Sequence, residues 1–467
     1  MLTTRRSVIS AAAAGLAFVG YARLASAQVG AADQTYANEV AGYGPLVADP
    51  NGILDLPAGF AYRVVSRFGE MMSDGLEVPY KADGMGCFPL GGSRVALVRN
   101  HELKPGDVNY GPSGLARRLS PHIDISKAYD VADGHALPGG TTTLVYDVAK
   151  QTLVSQHLSL VGTAVNCAGG VTPWGSWLTC EETTLKAADG RSKDHGWVFE
   201  VPARSRGLVQ AAPLKAMGRF QHEAACVDPR TGIVYMTEDS FGTAGLFYRF
   251  LPNARGQLHE GGKLQALAFR DAPAGVNTSN QGEAVWRQGD WKEVVWIDLD
   301  GVESPDDDLR LRGAKAGAAT FARGEGIHFG DNEMYFTCTA GGAARHGQIM
   351  RYVPSASEGQ PGERDAAGRL QLFLESANDK VFDYGDNLTV APWGHLIVCE
   401  DRYSDVKRNH IRGVTPEGKV YTIGRNVFRE NAELAGVCFS PDGSTLFVNI
   451  YWPGITLAIT GPWRGKA

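Results

Sequence analysis

One short pattern recurs six times along the 467-residue chain and limits the folds open to it: a small or acidic opening, a turn built on Pro or Gly, then a strand climbing to a polar end. The copies are DGMGCFPLGGSRVALVRNHE (83–102), NCAGGVTPWGSWLTCEE (166–182), HEAACVDPRTGIVYMTED (222–239), GEGIHFGDNEMYFTCT (324–339), GDNLTVAPWGHLIVCED (385–401) and ELAGVCFSPDGSTLFVNI (433–450). Each reads as two β-strands joined by a tight turn, because β-branched and aromatic runs are bounded by PWG, PDG, PRTG or GG. A spacing of roughly 50 to 100 residues suits propeller blades with variable insertions better than a solenoid's short fixed repeat. The expected fold is all-β, a six-bladed β-propeller. Its loop insertions are expected near 103–139, 251–292 and 354–370, where strand patterning lapses.

Acids recur at equivalent places in the repeats. Second strands end on Glu181 and Glu182, Glu238 and Asp239, or Glu400 and Asp401, and first strands open on Asp83, Asn166, Glu223, Glu325, Asp386 and Asn387. The innermost strands of a propeller line one channel, so these groups are expected to converge at one mouth of it. Carboxylates gathered that closely repel one another and call for cations, and hard oxygen donors in such number suit calcium.

Residues 1–27 carry a twin arginine (Arg5, Arg6), a short apolar run rich in Ala and Gly, and a small-residue ending at Ala25, Ser26 and Ala27. These features indicate a twin-arginine (Tat) export signal, which leaves residues 28–467 as a single β-propeller domain. The expected location is periplasmic or secreted, with the Tat machinery as a transient partner and no membrane anchor. Removing the leader takes three Arg and no acids from totals of 45 basic and 51 acidic residues, so the formal charge becomes 42 − 51 = −9. Such a surface argues against nucleic acid as a partner. A monomer acting on a small molecule is expected.

Seven cysteines in an exported chain raise the question of disulfides. Cys87, Cys226 and Cys438 hold matching places in first strands, and Cys180, Cys338 and Cys399 in second strands. Matching places in different blades lie too far apart to bridge, so these six read as core residues. Cys167 stands instead where other repeats place an acid, a soft donor among hard ones that makes a transition metal plausible beside calcium. Arg323 precedes Glu325 by two residues, so on a strand both face the same way, and its guanidinium fork suits a phosphate or a carboxylate. His101, His222 and His328 form no HxH or HxxxH pair, which argues against a histidine-rich zinc site.

The leader, the GYGPLVADPNGILDLPAGF segment (42–60), NCAGGVTPWGSWLTCEE, HEA, ARGEGI, GDN and CEDR together resemble the PhoX-type alkaline phosphatases and their relatives of the domain-of-unknown-function 839 group. The likeness runs along nearly the whole chain after the leader. It implies a six-bladed propeller holding an iron and calcium cluster (Fe3+ and Ca2+), and hydrolysis of phosphomonoesters without a serine nucleophile or zinc. Matched by motif, the resemblance makes Cys167 an iron ligand, Glu182 and Glu223 cluster carboxylates and Glu325 a calcium-side carboxylate. Asn166 and Arg323 become a phosphate-orienting pair, while the short GDN and CED motifs add Asp386 and Glu400 as metal ligands. The chain departs from the family's expected pattern in its shortened insertions. Two other readings fit an acid-lined propeller: a calcium-dependent lactonase or esterase, and a non-catalytic protein with structural calcium. Neither needs a thiolate, so Cys167 separates them from the phosphatase.

Overall fold

The computed structural model describes residues 35–463 apart from 189, 242–244, 283, 404–407 and 429–431. The export signal expected at 1–27 lies outside the described residues. Among them, the one α-helix is the short Leu309–Lys315, and no helix is long and apolar enough to cross a membrane.

Every repeat folds as an antiparallel hairpin. The first strands are Ala82–Gly91, Asn166–Val171, His222–Val227, Gly324–Phe329, Gly385–Val390 and Leu434–Phe439. Their partners are Arg94–His101, Ser176–Glu181, Val234–Glu238, Met334–Cys338, Leu396–Glu400 and Thr445–Ile450. The six first strands stand side by side in chain order, with the last against the first, so they close a ring. Small residues make that contact possible. A Cβ on Gly84 would lie 2.5 Å from the Ala168 Cα, and one on Gly326 2.7 Å from the Asn387 Cα.

The arrangement is propeller-like and all-β, but it does not divide into six separate blades. The first and sixth hairpins each extend to a four-stranded sheet, the second to a three-stranded sheet and the fifth to a six-stranded sheet. The third and fourth hairpins share one nine-stranded sheet, because Trp291–Asp298 pairs with Gly262–Phe269 on one side and Arg369–Glu375 on the other. The stretch 251–292, expected to be a loop insertion, thus contains the strand Gly262–Phe269, which pairs on both sides, and ends as Trp291–Asp298 begins. The 103–139 insertion holds three short 3-10 turns and a two-residue ribbon, Val131–Ala132 with His135–Ala136.

Strands near the two ends of the described residues lock the ring. Ala61–Arg67 pairs with Ile455–Thr460, and Leu54–Pro57 pairs with Val420–Asn426. Apolar side chains fill the spaces between sheets, as where Tyr146 of the first hairpin's sheet meets Phe447 of the sixth edge-on, 5.4 Å between ring centres. All seven cysteines are free, which agrees with their reading as core residues away from Cys167.

Candidate active site

A shared irregularity in the hairpins builds the site. Each ladder loses register just after the first strand begins: between Ala82 and Met85, Asn166 and Gly169, His222 and Ala225, Gly324 and Ile327, Gly385 and Leu388, and Ala435 and Cys438. Such bulges redirect side chains that regular pairing would hold in the sheet. Lys81, Val165, Arg323 and Tyr384, each just before a first strand, have φ between 49° and 55°, a left-handed backbone uncommon for such residues. The residue after each second strand then donates its N–H to the carbonyl of the residue before the first. These bonds are Glu102 to Lys81, Glu182 to Val165, Asp239 to Gln221, Thr339 to Arg323, Asp401 to Tyr384 and Tyr451 to Glu433.

These hairpin ends surround one open cavity of about 920 Å³. From the first strands come Cys167, Glu223, Glu325 and Asp386; from beyond the second strands come Glu102, Glu182, Asp239 and Asp401. Glu433 and Arg323 join them from the residues before first strands. Two ligand groups form: Cys167, Glu182 and Glu223, and Glu223, Glu325 and Asp386, with the donor atoms of each within 4.8 Å of one another. Glu223 belongs to both. Its two carboxylate oxygens are buried without a hydrogen-bond partner, as are Asp83 Oδ1 and Asp401 Oδ1.

Unpaired buried carboxylate oxygens are costly unless a cation meets them. Burial first, and then the surrounding acids, push Asp83, Glu182, Glu223 and Asp401 well above the usual carboxylate range. Glu325 is likewise well above it, through burial and Asp239 in spite of Arg323, and Asp386 rises to about 7. Burial, with Asp83, Glu223 and Glu182, also raises the Cys167 thiol, whose Sγ donates to Asp83 Oδ2 at 3.5 Å. A bound cation reverses that electrostatic logic. The donors fit a cluster mixing a thiophilic transition metal on the Cys167 side with an oxygen-loving cation on the Asp386 side.

Arg323 crosses the mouth of the cavity. Its Nε lies 3.0 Å from Asp239 Oδ1, and its Nη2 lies 2.6 Å from Asp239 Oδ2 and 3.0 Å from Glu325 Oε1. Two expected site residues are employed elsewhere. Asn166 accepts from Thr163 Oγ1 at 2.6 Å and donates to Thr179 Oγ1 at 2.9 Å, so its amide supports the hairpin instead of facing the cavity. Glu400 accepts from Arg412 Nε at 2.7 Å and from the His410 N–H at 3.0 Å, and this cationic shell holds its carboxyl below the ordinary value despite burial.

The doubled acids explain the correction at Glu400. In each pair the first acid turns into its own sheet: Glu181 lies 2.7 Å from His195 Nδ1, and Glu238 accepts from Tyr248 Oη at 2.7 Å. The second acid faces the cavity, as strand alternation requires. The period-2 rule therefore selects Asp239 and Asp401, which join the cavity with Glu102 and Glu433 although motif matching assigns none of the four a role. His101 and His222 are buried and His328 half-buried, bonded to Thr142, Gly218 and Val390, and none of the three lines the cavity.

A further set of polar residues fixes the ligand-bearing backbone. Asn100 Nδ2 donates to the Cys167 carbonyl at 3.0 Å, Thr237 Oγ1 to that of Glu325 at 2.5 Å, Thr337 Oγ1 to that of Asp386 at 2.8 Å, and Asn449 Nδ2 to that of Asp83 at 2.5 Å. Each bond runs from one hairpin to the next. Thr337→Val is expected to lower stability by about 1–3 kcal/mol, because buried carbonyls lose their donor, and to weaken metal retention. Thr337→Ser should restore both; thermal melting and metal content of the three proteins provide the check.

A model of the alkaline phosphatase PhoX family matches residues 41–454. Among solved structures, Pseudomonas fluorescens PhoX in complex with vanadate, a transition-state analogue, is similar with a TM-score of 0.61 at 18% identity, covering 88% of this chain and 96% of that one. A Xanthomonas campestris gluconolactonase aligns over 90% of this chain and 98% of its own at 12% identity, with a TM-score of only 0.41. Comparison with curated proteins gives no significant match. With the match spanning nearly all the described residues, the chain belongs to the alkaline phosphatase PhoX family.

Proposed function

We propose that this chain is an exported, metal-dependent phosphatase that hydrolyses phosphomonoesters, with iron and calcium held in the acid-lined cavity. The observation that carries the reading is Glu223, shared between a thiol-containing and an all-carboxylate ligand group, with both oxygens buried and unpaired. Cys167 and Glu182 would hold iron with Glu223; Glu325 and Asp386 would hold calcium with it. When bound, these ions supply the positive charge that gathers and polarises a phosphate ester.

The protein's own residues do the positioning. Arg323 lines the cavity with its Nε and Nη2 edge taken by Asp239 and Glu325, so the Nη1 side of the guanidinium is the part that can bind a phosphoryl oxygen. Asp239 holds the fork by paired contacts from Nε and Nη2, so the group is aimed before substrate arrives. Twin-arginine export would carry the protein across the membrane already folded, which suits a chain that needs metals in a buried site. The leader and an expected monomeric state belong to this same reading.

The test is elemental analysis of protein purified after its own export and without chelator, alongside release of phosphate from 4-nitrophenyl phosphate. Iron and calcium with phosphate release support the proposal. Calcium alone, with iron supplied during growth and no phosphate release, overturns it. Arg323→Ala is expected to lower kcat/KM by about 100-fold, the usual scale for losing a charge-stabilising donor, with metal content retained. Arg323→Lys should recover only part of it, because a point charge lacks the fork. Unchanged kinetics would remove Arg323 from the mechanism.

A further inference from the structure

The cavity is far larger than a phosphate group requires, and its mouth carries exposed aromatic rings. Phe241 is 65% exposed and Tyr403 67% exposed, among the most exposed large apolar side chains of the described residues, and both line the same cavity. Scattered surface hydrophobics are ordinary, but two at one concave opening mark a place that binds something.

Each ring is tethered from the site side. The Arg323 guanidinium carbon lies 4.2 Å from the centre of the Phe241 ring, and the Tyr403 hydroxyl donates to Glu433 Oε2 at 2.5 Å. Phe241 thus abuts the group proposed to hold a phosphoryl oxygen. A leaving group that extends from that phosphate along the Phe241 side of Arg323 would lie against a ring.

Resting on the phosphatase reading, we propose that the preferred substrates are phosphomonoesters whose leaving group carries a flat aromatic system, such as nucleoside monophosphates, and that Phe241 and Tyr403 determine this preference. Stacking suits the task because every base offers a π-face, whereas a sugar or glycerol group offers none. Binding energy gained on this remote part of the substrate can then contribute to kcat/KM. The rings line a concavity and not a flat face, which favours a small molecule over a protein partner.

The experiment compares kcat/KM of the metal-loaded enzyme for adenosine 5′-monophosphate and ribose 5-phosphate. The two esters share the leaving oxygen and differ by the base, so leaving-group chemistry cancels. The nucleotide is expected to win by at least about tenfold, the lower end of what one base–aromatic stack contributes. Phe241→Ala and Tyr403→Ala should each draw the ratio toward one, mainly through KM for the nucleotide, and Phe241→Trp should preserve it. A wild-type ratio near one, or a ratio unmoved in both alanine variants, overturns the inference while leaving the phosphatase reading intact. Cleavage of 4-nitrophenyl phosphate but of neither ester by iron- and calcium-loaded protein overturns the inference alone, and cleavage of none of the three overturns both.

Discussion

Replacing Cys167 by Ser is expected to remove iron from the purified protein and cut phosphomonoesterase turnover by at least about 100-fold, since a bound metal supplies several kcal/mol of transition-state stabilisation. The change is small in volume, and the Cys167 side chain is half-buried with its Sγ turned to Asp83, so the hairpin ring should still form. The chemistry differs far more than the shape. A thiol gives up its proton readily to a metal, whereas a serine hydroxyl stays protonated near neutral pH and is a weak, hard donor. Calcium should persist, because Glu325 and Asp386 are untouched and Glu223 keeps both oxygens. Metal content, phosphate release and far-ultraviolet circular dichroism on the same preparation separate loss of the centre from loss of the fold. Normal iron with full activity would strike Cys167 from the centre and leave the iron to the carboxylates.

Much of this site is legible in the sequence, and the failures have definite causes. The six hairpins match the six repeats because turn residues and β-branched runs are local signals. The way sheets join is not local: nothing in WKEVVWID (291–298) announces that it bridges two neighbouring units. Cys167, Glu182, Glu223, Glu325 and Asp386 stand out because each breaks an otherwise apolar strand end at a repeated place, and the fold brings all five to one cavity. Glu400 is the wrong member of an acid pair. Aligning it with Glu181 and Glu238, the sheet-facing members, shifts the choice by one residue to Asp401. Asn166 fails differently, since an amide can orient a phosphate or satisfy a hydroxyl, and only the positions of Thr163 and Thr179 decide between them. Glu433 gives little signal because it precedes its strand, where an exposed acid is ordinary.

The metal-free protein is expected to be least stable where a phosphatase of this kind would work, at neutral and alkaline pH. In the folded chain Asp83, Glu182, Glu223, Glu325 and Asp401 all bind their protons more tightly than ordinary carboxyls, chiefly because they are buried. Below the ordinary carboxylate value both folded and unfolded chains are protonated, and these groups cost nothing. As pH rises past it, the unfolded chain releases protons that the folded chain retains, so stability falls. The loss continues up to the raised values, among which Asp386 stands at about 7. Cations bound only by the folded state cancel this penalty and add their own binding energy. Melting of chelator-treated protein should therefore drop steadily from pH 5 to pH 8, by several degrees or more, while the loaded protein changes little and the gap between them widens. Glu223→Gln tests the same balance in one residue. Removing its charge relieves repulsion from Glu325, Asp386, Glu182 and Asp83, so the chelated variant should melt above chelated wild type at pH 8. With metals supplied the order should reverse, because the variant lacks the carboxylate that serves both ligand groups, and its activity should be lost. A chelated protein that gains stability as pH rises, or a Glu223→Gln variant that melts lower in both states, would mean that the acids are satisfied without cations.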